Sequence, residues 1–219
     1  CGGDGHATAR RGTAGAAGWG AQSTSAKVKK VEKPKIRSRK DWGASKKLGT
    51  TKHDVAAKAT AAVVHHSAGA NDYDAEDVPA ILRGIHTFHV QGRGWDDVGY
   101  NMFADRYGRL WEGRAGGVSK AIVGAHAVGY NTGTFGISVL GTYEKKAPPK
   151  KTRDAVAGAI AWKLSLSRTS ADAKTTIAGD RIRTVSGPPD VGLTSCPGVA
   201  FYSQLGGVPS TAVGIQQGD

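Results

Sequence analysis

Two adjacent histidines, His65 and His66, end a short apolar run that begins at Ala61. A run of this length predicts a buried strand, and a strand end is a rigid position from which a side chain can bind a metal or accept a proton. Neighbouring residues of a strand point to opposite faces, so we expect at most one of the pair to be a metal ligand. The alternative is one core histidine and one surface histidine.

A second reactive group is the thiol of Cys196, which stands directly before a predicted helix. A cysteine at a helix N-terminus has a lowered pKa, which suits it to bind zinc or to act as a nucleophile. A nucleophilic cysteine would need a histidine base, and His65 or His126 could supply one. A buried, inert cysteine is the alternative.

His86 and His89 are three residues apart on another predicted helix and could in principle share a metal ion. One face of that helix is committed to the core, however. We therefore predict structural roles for both histidines.

These groups need a scaffold, and from about residue 36 the chain alternates predicted strands and helices. Strands are indicated at 61–66, 134–140 and 184–186, with a hairpin formed by 100–105 and 109–112. Helices are indicated at 79–90, 152–165 and 199–205. The apolar face of the first helix is formed by Ile81, Ile85, Phe88 and His89. The interleaving predicts an α/β fold with a mixed central β-sheet and helices on both faces.

The two ends of the chain differ from this middle part. Residues 1–34 are rich in Gly, Ala, Ser, Thr and Lys and hold almost no large apolar side chains. Such a segment cannot bury enough surface to offset the entropy cost of ordering it. We predict a basic, disordered linker at 1–34, a folded domain at 35–207 and a loose tail at 208–219.

Positive charge is concentrated near the N-terminus. The formal net charge is +12, and the first forty residues carry ten Lys or Arg against two acidic residues. A basic arm of this kind attracts polyanions such as nucleic acid, acidic lipid or anionic wall polymer, or is simply a solvated linker.

Two cysteines exclude a disulfide framework, and no apolar run is long enough to span a membrane. The chain begins with Cys1 and two glycines. This start fits a removed leader, a fragment, or the lipid-anchored end of a mature lipoprotein.

Seven short blocks occur in an order that resembles one protein family. They are RKDWGA at 39–44, VVHHS at 63–67, GWDDVGYN at 94–101, YGRLWEGR at 107–114, GAHA at 124–127, FGIS at 135–138 and TSCPG at 194–198. Together they cover about residues 36–206, and so many ordered blocks are hard to obtain by chance. The chain resembles the peptidoglycan recognition proteins and type 2 N-acetylmuramoyl-L-alanine amidases, especially their actinobacterial branch.

The resemblance implies a catalytic Zn²⁺ site with His65 and Cys196 as ligands and one position left for water. It places Tyr100 beside the metal, where the hydroxyl would stabilise the oxyanion formed as water attacks an amide. It also places Thr194 near the zinc.

The resemblance further implies a substrate groove and a reaction. The residues expected to line the groove are Trp95, Arg114, His126 and Asn131. The bond cut in the family joins N-acetylmuramic acid to L-alanine of the peptidoglycan stem peptide. We expect a secreted or cell-wall-associated monomer that binds peptidoglycan or muropeptides, with anionic wall polymers on the basic arm and no specific nucleic acid.

One expected zinc ligand is missing. The resemblance implies a second zinc histidine eight residues before Cys196, but Pro188 stands there and Pro189 follows it. Asp190 or Asp180 could replace the histidine, because carboxylates bind zinc, although we expect neither to reproduce the site. One lost ligand costs on the order of 3 kcal/mol, about a hundredfold in affinity, so we predict weak zinc binding.

Three functions fit these observations. The first is a zinc amidase of peptidoglycan, impaired by Pro188. The second is a peptidoglycan-binding module of the same fold that no longer cuts. The third is a polyanion-binding protein that acts through the basic arm. Cys196 and Tyr100 favour the first, Pro188 favours the second, and the third explains only the first forty residues.

Overall fold

A mixed six-stranded sheet forms the centre of the computed structural model, which describes residues 28–192 and 194–218. The strands of this sheet are β1 (Ile36–Arg37), β2 (Ala61–His66), β3 (Met102–Ala104), β4 (Leu110–Glu112), β5 (Thr134–Val139) and β8 (Val185–Ser186). Their order is β1-β4-β3-β5-β2-β8, and β3 and β4 form its antiparallel hairpin. A separate antiparallel pair consists of β6 (Lys174–Ile177) and β7 (Asp180–Arg183).

Helices cover both faces of the sheet. The helices are α1 (Val78–Thr87), α2 (Lys150–Ser165), α3 (Val199–Tyr202) and α4 (Gly207–Gln217). On one face, Val64 and Ile137 pack in a core with Ile160 of α2. On the other face, Phe103 packs in a second core with Leu82 of α1. The predicted α/β fold, with a mixed central sheet and helices on both faces, is therefore confirmed.

The first helix differs from the prediction in length and in its buried face. Regular α1 ends at Thr87, and a π-helical turn follows at Phe88–Gly92. The buried side chains of α1 are Val78, Leu82 and His86, whereas Phe88 is 54% exposed. The predicted face is right for Ile81 and Ile85, which pack against the second core, and for His89, which is buried, but it is wrong for Phe88. It also omits His86, whose Nε2 lies 2.9 Å from Oδ1 of the buried Asp97.

The predicted linker at 1–34 falls partly on described residues. Residues 1–27 lie outside the described part of the chain, but 28–34 are packed on α2. The Val31 N–H donates to Ser165 Oγ at 3.2 Å, and Lys33 Nζ lies 5.7 Å from the centre of the Trp162 ring. The prediction is therefore wrong for 28–34, because a single apolar residue, Val31, is enough to join the core.

The predicted loose tail at 208–219 is also wrong, because α4 occupies Gly207–Gln217. Its buried side chains are Val208, Ala212 and Gln216. Isolated helices of this length are marginal in water, so α4 owes its stability to packing rather than to propensity. The sequence hides this helix, because glycine and threonine separate its apolar residues.

We expect Gln216→Ala to lower the free energy of unfolding by about 2 kcal/mol. The Gln216 amide accepts from the Ala171 N–H at 3.0 Å and donates to the Thr169 carbonyl at 2.9 Å, so its loss leaves two polar groups without partners. Urea denaturation would measure the change. Gln217→Ala, at the exposed neighbouring position, is the matched control and should change stability by less than about 0.5 kcal/mol. Equal effects of the two substitutions would contradict a packed α4.

No helix in the described ranges is both long enough and apolar enough to cross a membrane.

Candidate functional site

His65, at the end of β2, contacts three of the residues singled out in the sequence. Its Nδ1 lies 3.7 Å from Cys196 Sγ, and its Nε2 lies 3.1 Å from His126 Nδ1. The His65 and Tyr100 rings are 5.1 Å apart between centroids. All four side chains are buried. We call these four residues the candidate site.

The parallel strands and a short loop bring these groups together. In the pairing of β2 with β5, His65 lies opposite Ser138, and Gly136 lies two residues earlier on β5. Gly136 leaves the room that the His126 ring fills, since a Cβ there would be 2.4 Å from His126 Cγ. Asn131 fixes the loop, because its Oδ1 accepts from the backbone N–H groups of His126 and Ala127 at 2.8 and 2.9 Å.

Both imidazoles of the candidate site are neutral at pH 7. Burial, followed by the charge of His126, holds the pKa of His65 well below its usual range. Burial, with a contribution from the Arg114 charge, lowers the pKa of His126 to about 3. A neutral imidazole is the form that binds metals.

Cys196 lies at a buried position that favours the protonated thiol. It is fully buried, and the backbone N–H of His66 donates to Sγ at 3.4 Å. Burial raises the pKa of Cys196 to about 11, although the sequence predicted a lowered one. The expected helix effect is absent because α3 is only four residues long and starts three residues further on. This environment disfavours the cysteine-nucleophile interpretation.

Two of the expected zinc ligands have a suitable separation. Bonds of about 2.0 Å to nitrogen and 2.3 Å to sulfur at a tetrahedral angle put two ligand atoms about 3.5 Å apart. The observed distance between His65 Nδ1 and Cys196 Sγ is 3.7 Å. His126 approaches the opposite nitrogen of His65 and therefore cannot join them on the same metal ion.

Among the described residues, no third ligand stands beside this pair. Pro188 is buried in a 3₁₀ turn at Pro188–Asp190. Asp190 is already engaged, because its Oδ2 accepts from the Gly187 N–H at 2.8 Å and its Oδ1 accepts from the Tyr202 hydroxyl at 2.6 Å. Asp180 is exposed and accepts from the Tyr130 hydroxyl. Within the described part of the chain, no three His, Cys, Asp or Glu residues are grouped to hold a metal ion, so the residues present do not fit a three-ligand zinc site.

The remaining predicted site residues lie around this centre, and two of them form polar contacts with neighbouring residues. Thr194 is exposed, and its Oγ1 accepts from the Cys196 N–H at 3.2 Å. Arg114 is buried and donates to Asp96 Oδ1 at 2.6 Å. Trp95 is half-buried and packs against His89, with 4.7 Å between ring centroids and 38° between the ring planes. Thr194 and Arg114 thus contact neighbouring residues of the chain, and their predicted roles at the zinc and in the groove stay predictions.

Sequence reasoning missed Arg93. Its guanidinium lies over the rings of Phe88 and Trp95, at 5.3 and 5.7 Å from their centroids. Nothing in the local sequence signals this position, because it depends on the π-helical turn at Phe88–Gly92, which Arg93 directly follows. His89 has the structural role that was predicted, since its Nδ1 accepts from the Gly99 N–H at 3.1 Å.

The chain combines a mixed sheet, helices on both faces, and a histidine at a strand end that is close to a cysteine. This combination defines the peptidoglycan amidase class of fold. The model of the N-acetylmuramoyl-L-alanine amidase family matches residues 56–199. This chain belongs to that family.

Known relatives support this assignment. The chain is 30% identical over 172 residues to peptidoglycan-recognition protein SC2 of Drosophila simulans, covering 78% of this chain and 84% of the relative. It is 29% identical over 180 residues to peptidoglycan-recognition protein LB of Drosophila melanogaster, covering 82% and 71%.

Solved structures agree with the sequence relatives. Wild-type Drosophila PGRP-LB matches with a TM-score of 0.65 and 28% identity, covering 78% of this chain and 92% of that one. PGRP-LE in complex with tracheal cytotoxin, described as monomeric diaminopimelic acid-type peptidoglycan, matches with a TM-score of 0.65 and 25% identity, covering 78% and 91%. The resemblance to peptidoglycan recognition proteins is confirmed, whereas the actinobacterial branch stays a prediction.

Proposed function

We propose that this chain binds peptidoglycan fragments beside the candidate site and does not cleave them through zinc. Pro188 carries the proposal, because it stands where the second zinc histidine is expected and offers no metal-binding atom. The two nearby carboxylates, Asp180 and Asp190, accept hydrogen bonds from Tyr130 and Tyr202. The protein would act at the cell wall, outside the membrane.

Relatives with bound ligand support the choice of partner. PGRP-LE and a PGRP-LB variant are both described in complex with tracheal cytotoxin, and they match this chain at 25% and 27% identity. In our proposal, a muropeptide lies against the half-buried Trp95 and the adjoining Arg93. Asn131 and Arg114 act as positioning residues, because the first fixes the loop of His126 and the second is paired with Asp96.

A second candidate function is zinc-dependent hydrolysis of the amide between N-acetylmuramic acid and L-alanine. The observations that favour it are the 3.7 Å separation of His65 Nδ1 and Cys196 Sγ and the position of Tyr100 beside His65. Thr194 would belong to the same centre. This candidate requires a third zinc ligand that the chain does not offer among the described residues.

Isothermal titration with a purified muropeptide, with and without EDTA, tests the first proposal. We expect the same dissociation constant in both buffers and no free stem peptide by mass spectrometry. Trp95→Ala should weaken binding at least tenfold, because an aromatic anchor that touches the ligand is lost.

Leu166→Ala is the control for that titration. Leu166 is 44% exposed and follows α2, on the face of the sheet away from the candidate site, so its loss should leave binding unchanged. Binding that disappears in EDTA, or Trp95→Ala and Leu166→Ala variants that bind equally well, would contradict the proposal.

A further inference from the structure

Three cations surround one tyrosine ring at the turn between β3 and β4. The Arg106 and Arg109 guanidinium carbons lie 5.9 and 5.2 Å from the centroid of the Tyr107 ring, and Lys151 Nζ lies 5.2 Å from it. The Tyr107 ring is itself fixed, because its hydroxyl donates to the Tyr73 carbonyl at 2.9 Å. The cations are therefore held in position by an immobile aromatic group.

The positive surface extends to both sides of this turn. Arg37 lies 5.0 Å from the Trp111 ring, which Arg109 also contacts at 5.2 Å. On the other side, a cavity of about 380 Å³ is bordered by Arg106 and Lys146. The cationic face, as we define it, comprises Arg37, Arg106, Arg109, Lys146 and Lys151.

Carboxylates near this face leave much of its charge uncompensated. Asp105 is buried and neutralises Arg109, with Arg109 Nε 2.6 Å from Asp105 Oδ2. Asp72 is fully exposed, and its Oδ1 lies as far as 4.0 Å from Arg106 Nη1, so this ion pair is weak. Lys146 and Lys151 are exposed, and in the described chain neither side chain donates a hydrogen bond or forms an ion pair.

A guanidinium held beside aromatic rings has less freedom than one in open solvent, and its planar fork of N–H donors matches a phosphate. The Arg106 guanidinium carbon lies 5.7 and 5.9 Å from the centroids of the Tyr73 and Tyr107 rings, which are inclined at 75° to each other. Tyr73 is buried and the Tyr107 ring is surrounded by three cations, so among the described residues neither ring offers the open stacking platform that single-stranded nucleic acids use. Phosphodiesters without bases are the better match.

We propose that the cationic face binds the phosphodiester groups of a base-free anionic polymer attached to peptidoglycan. The choice of a wall polymer rests on the proposed function, since a protein bound to peptidoglycan meets such polymers on the same strand. The phosphates lie along Arg106, Lys146 and Lys151, with one phosphate at the cavity between Arg106 and Lys146.

The test measures binding of purified poly(glycerol phosphate) to the full-length chain by fluorescence anisotropy at several salt concentrations. The triple substitution Arg106→Gln, Lys146→Gln, Lys151→Gln is compared with a control triple that removes equal charge from exposed lysines elsewhere. The control substitutions are Lys46→Gln, Lys47→Gln and Lys52→Gln. Because the basic arm is present in every variant, its contribution cancels.

We expect the first triple substitution to weaken binding at least tenfold. It should also reduce the slope of log Kd against log salt concentration by about two. The control triple should weaken binding less than threefold. If the triple variant is misfolded, the double variant Lys146→Gln, Lys151→Gln replaces it, because it leaves Arg106 and its hydrogen bond to the Asn71 carbonyl intact. The double variant should weaken binding at least threefold.

Two outcomes overturn the proposal. One is equal weakening by the two triples, which would mean that net charge alone decides binding. The other is tenfold tighter binding of single-stranded DNA with the same number of phosphates, which would identify a nucleic acid as the partner. Muropeptide titration on the same variants should show unchanged affinity, and a native chain that binds polymer but no muropeptide would contradict the proposed function alone.

Discussion

Replacing Asp97 with asparagine is expected to lower the free energy of unfolding by about 3 kcal/mol, because buried charges then lose their counterion. Asp97 is fully buried. Its Oδ1 lies 3.2 Å from Arg39 Nη2, and its Oδ2 lies 3.2 Å from His53 Nε2 and 2.8 Å from the Ala115 nitrogen. His86 Nε2 is close to Oδ1, at 2.9 Å, although it is not aligned as a hydrogen bond. One carboxylate thus joins four segments of the chain.

Urea denaturation at pH 7 of the native and Asp97→Asn chains would measure this effect. Asp154→Asn is the control, because Asp154 forms an exposed ion pair with Lys150 at 2.7 Å and should change stability by less than about 1 kcal/mol. A loss for Asp97→Asn no larger than that of the control would contradict a central role for this carboxylate.

The pH dependence of stability provides an independent check of Asp97. Burial alone would raise its pKa, but contact with His86, the Ala115 N–H and the Arg39 charge lower the pKa to about 2. An aspartate in the unfolded chain has a pKa of about 3.9, so the stabilisation is complete above that pH and is lost as pH falls towards 2. The native chain should therefore lose more stability than the Asp97→Asn chain between about pH 4 and pH 2.

The double substitution Pro188→His, Pro189→Arg is expected to raise zinc affinity about a hundredfold. A histidine at 188 would add the third ligand to His65 and Cys196, whose ligand atoms are already 3.7 Å apart. Pro189 must change as well, because a proline restricts the residue before it to extended conformations. Zinc titration with a competing chelator would measure the gain.

The control for the double substitution is Pro188→Ser with Pro189→Arg, which removes both prolines and adds no imidazole. It should bind zinc no better than the native chain. If this control gains as much zinc affinity as the histidine variant, then the gain comes from removing the two prolines and not from a new ligand.

Most of the sheet could be predicted from the sequence because its strands are short apolar runs with clear boundaries. The prediction for β2 at 61–66 matches the structure residue for residue. The predicted strand at 134–140 is one residue longer than β5, and the predicted helix at 152–165 starts two residues late. In these elements the local pattern of apolar residues agrees with the burial seen in the structure, so the sequence alone is sufficient to predict them.

The helix faces and the chain ends were harder to predict because distant contacts decide them. Leu82 and His86 of α1 face the core, where His86 Nε2 lies 2.9 Å from the buried Asp97, and no periodicity signals that contact. Helix α4 depends on packing against α2, with Gln216 bonded to the backbone of Ala171 and Thr169. Long-range hydrogen bonds of this kind leave no local signature.

The sequence predicted which residues form the candidate site, but it did not predict the surroundings of those residues. Ordered motifs identified His65, Tyr100 and Cys196, and the structure brings them together. The raised pKa of Cys196 could not be inferred, because it depends on complete burial behind β2. The direct contact between His65 and His126 was equally hidden, since it requires the space left by Gly136.

Zinc content of the native chain tests the central claim most directly. The protein is incubated with excess zinc, dialysed against metal-free buffer and analysed by mass spectrometry, while a muropeptide digest records any released stem peptide. With Pro188 in place, we predict well below one zinc per chain and no released peptide. One tightly held zinc per chain together with peptide release would contradict the account, because another group would then supply the third ligand.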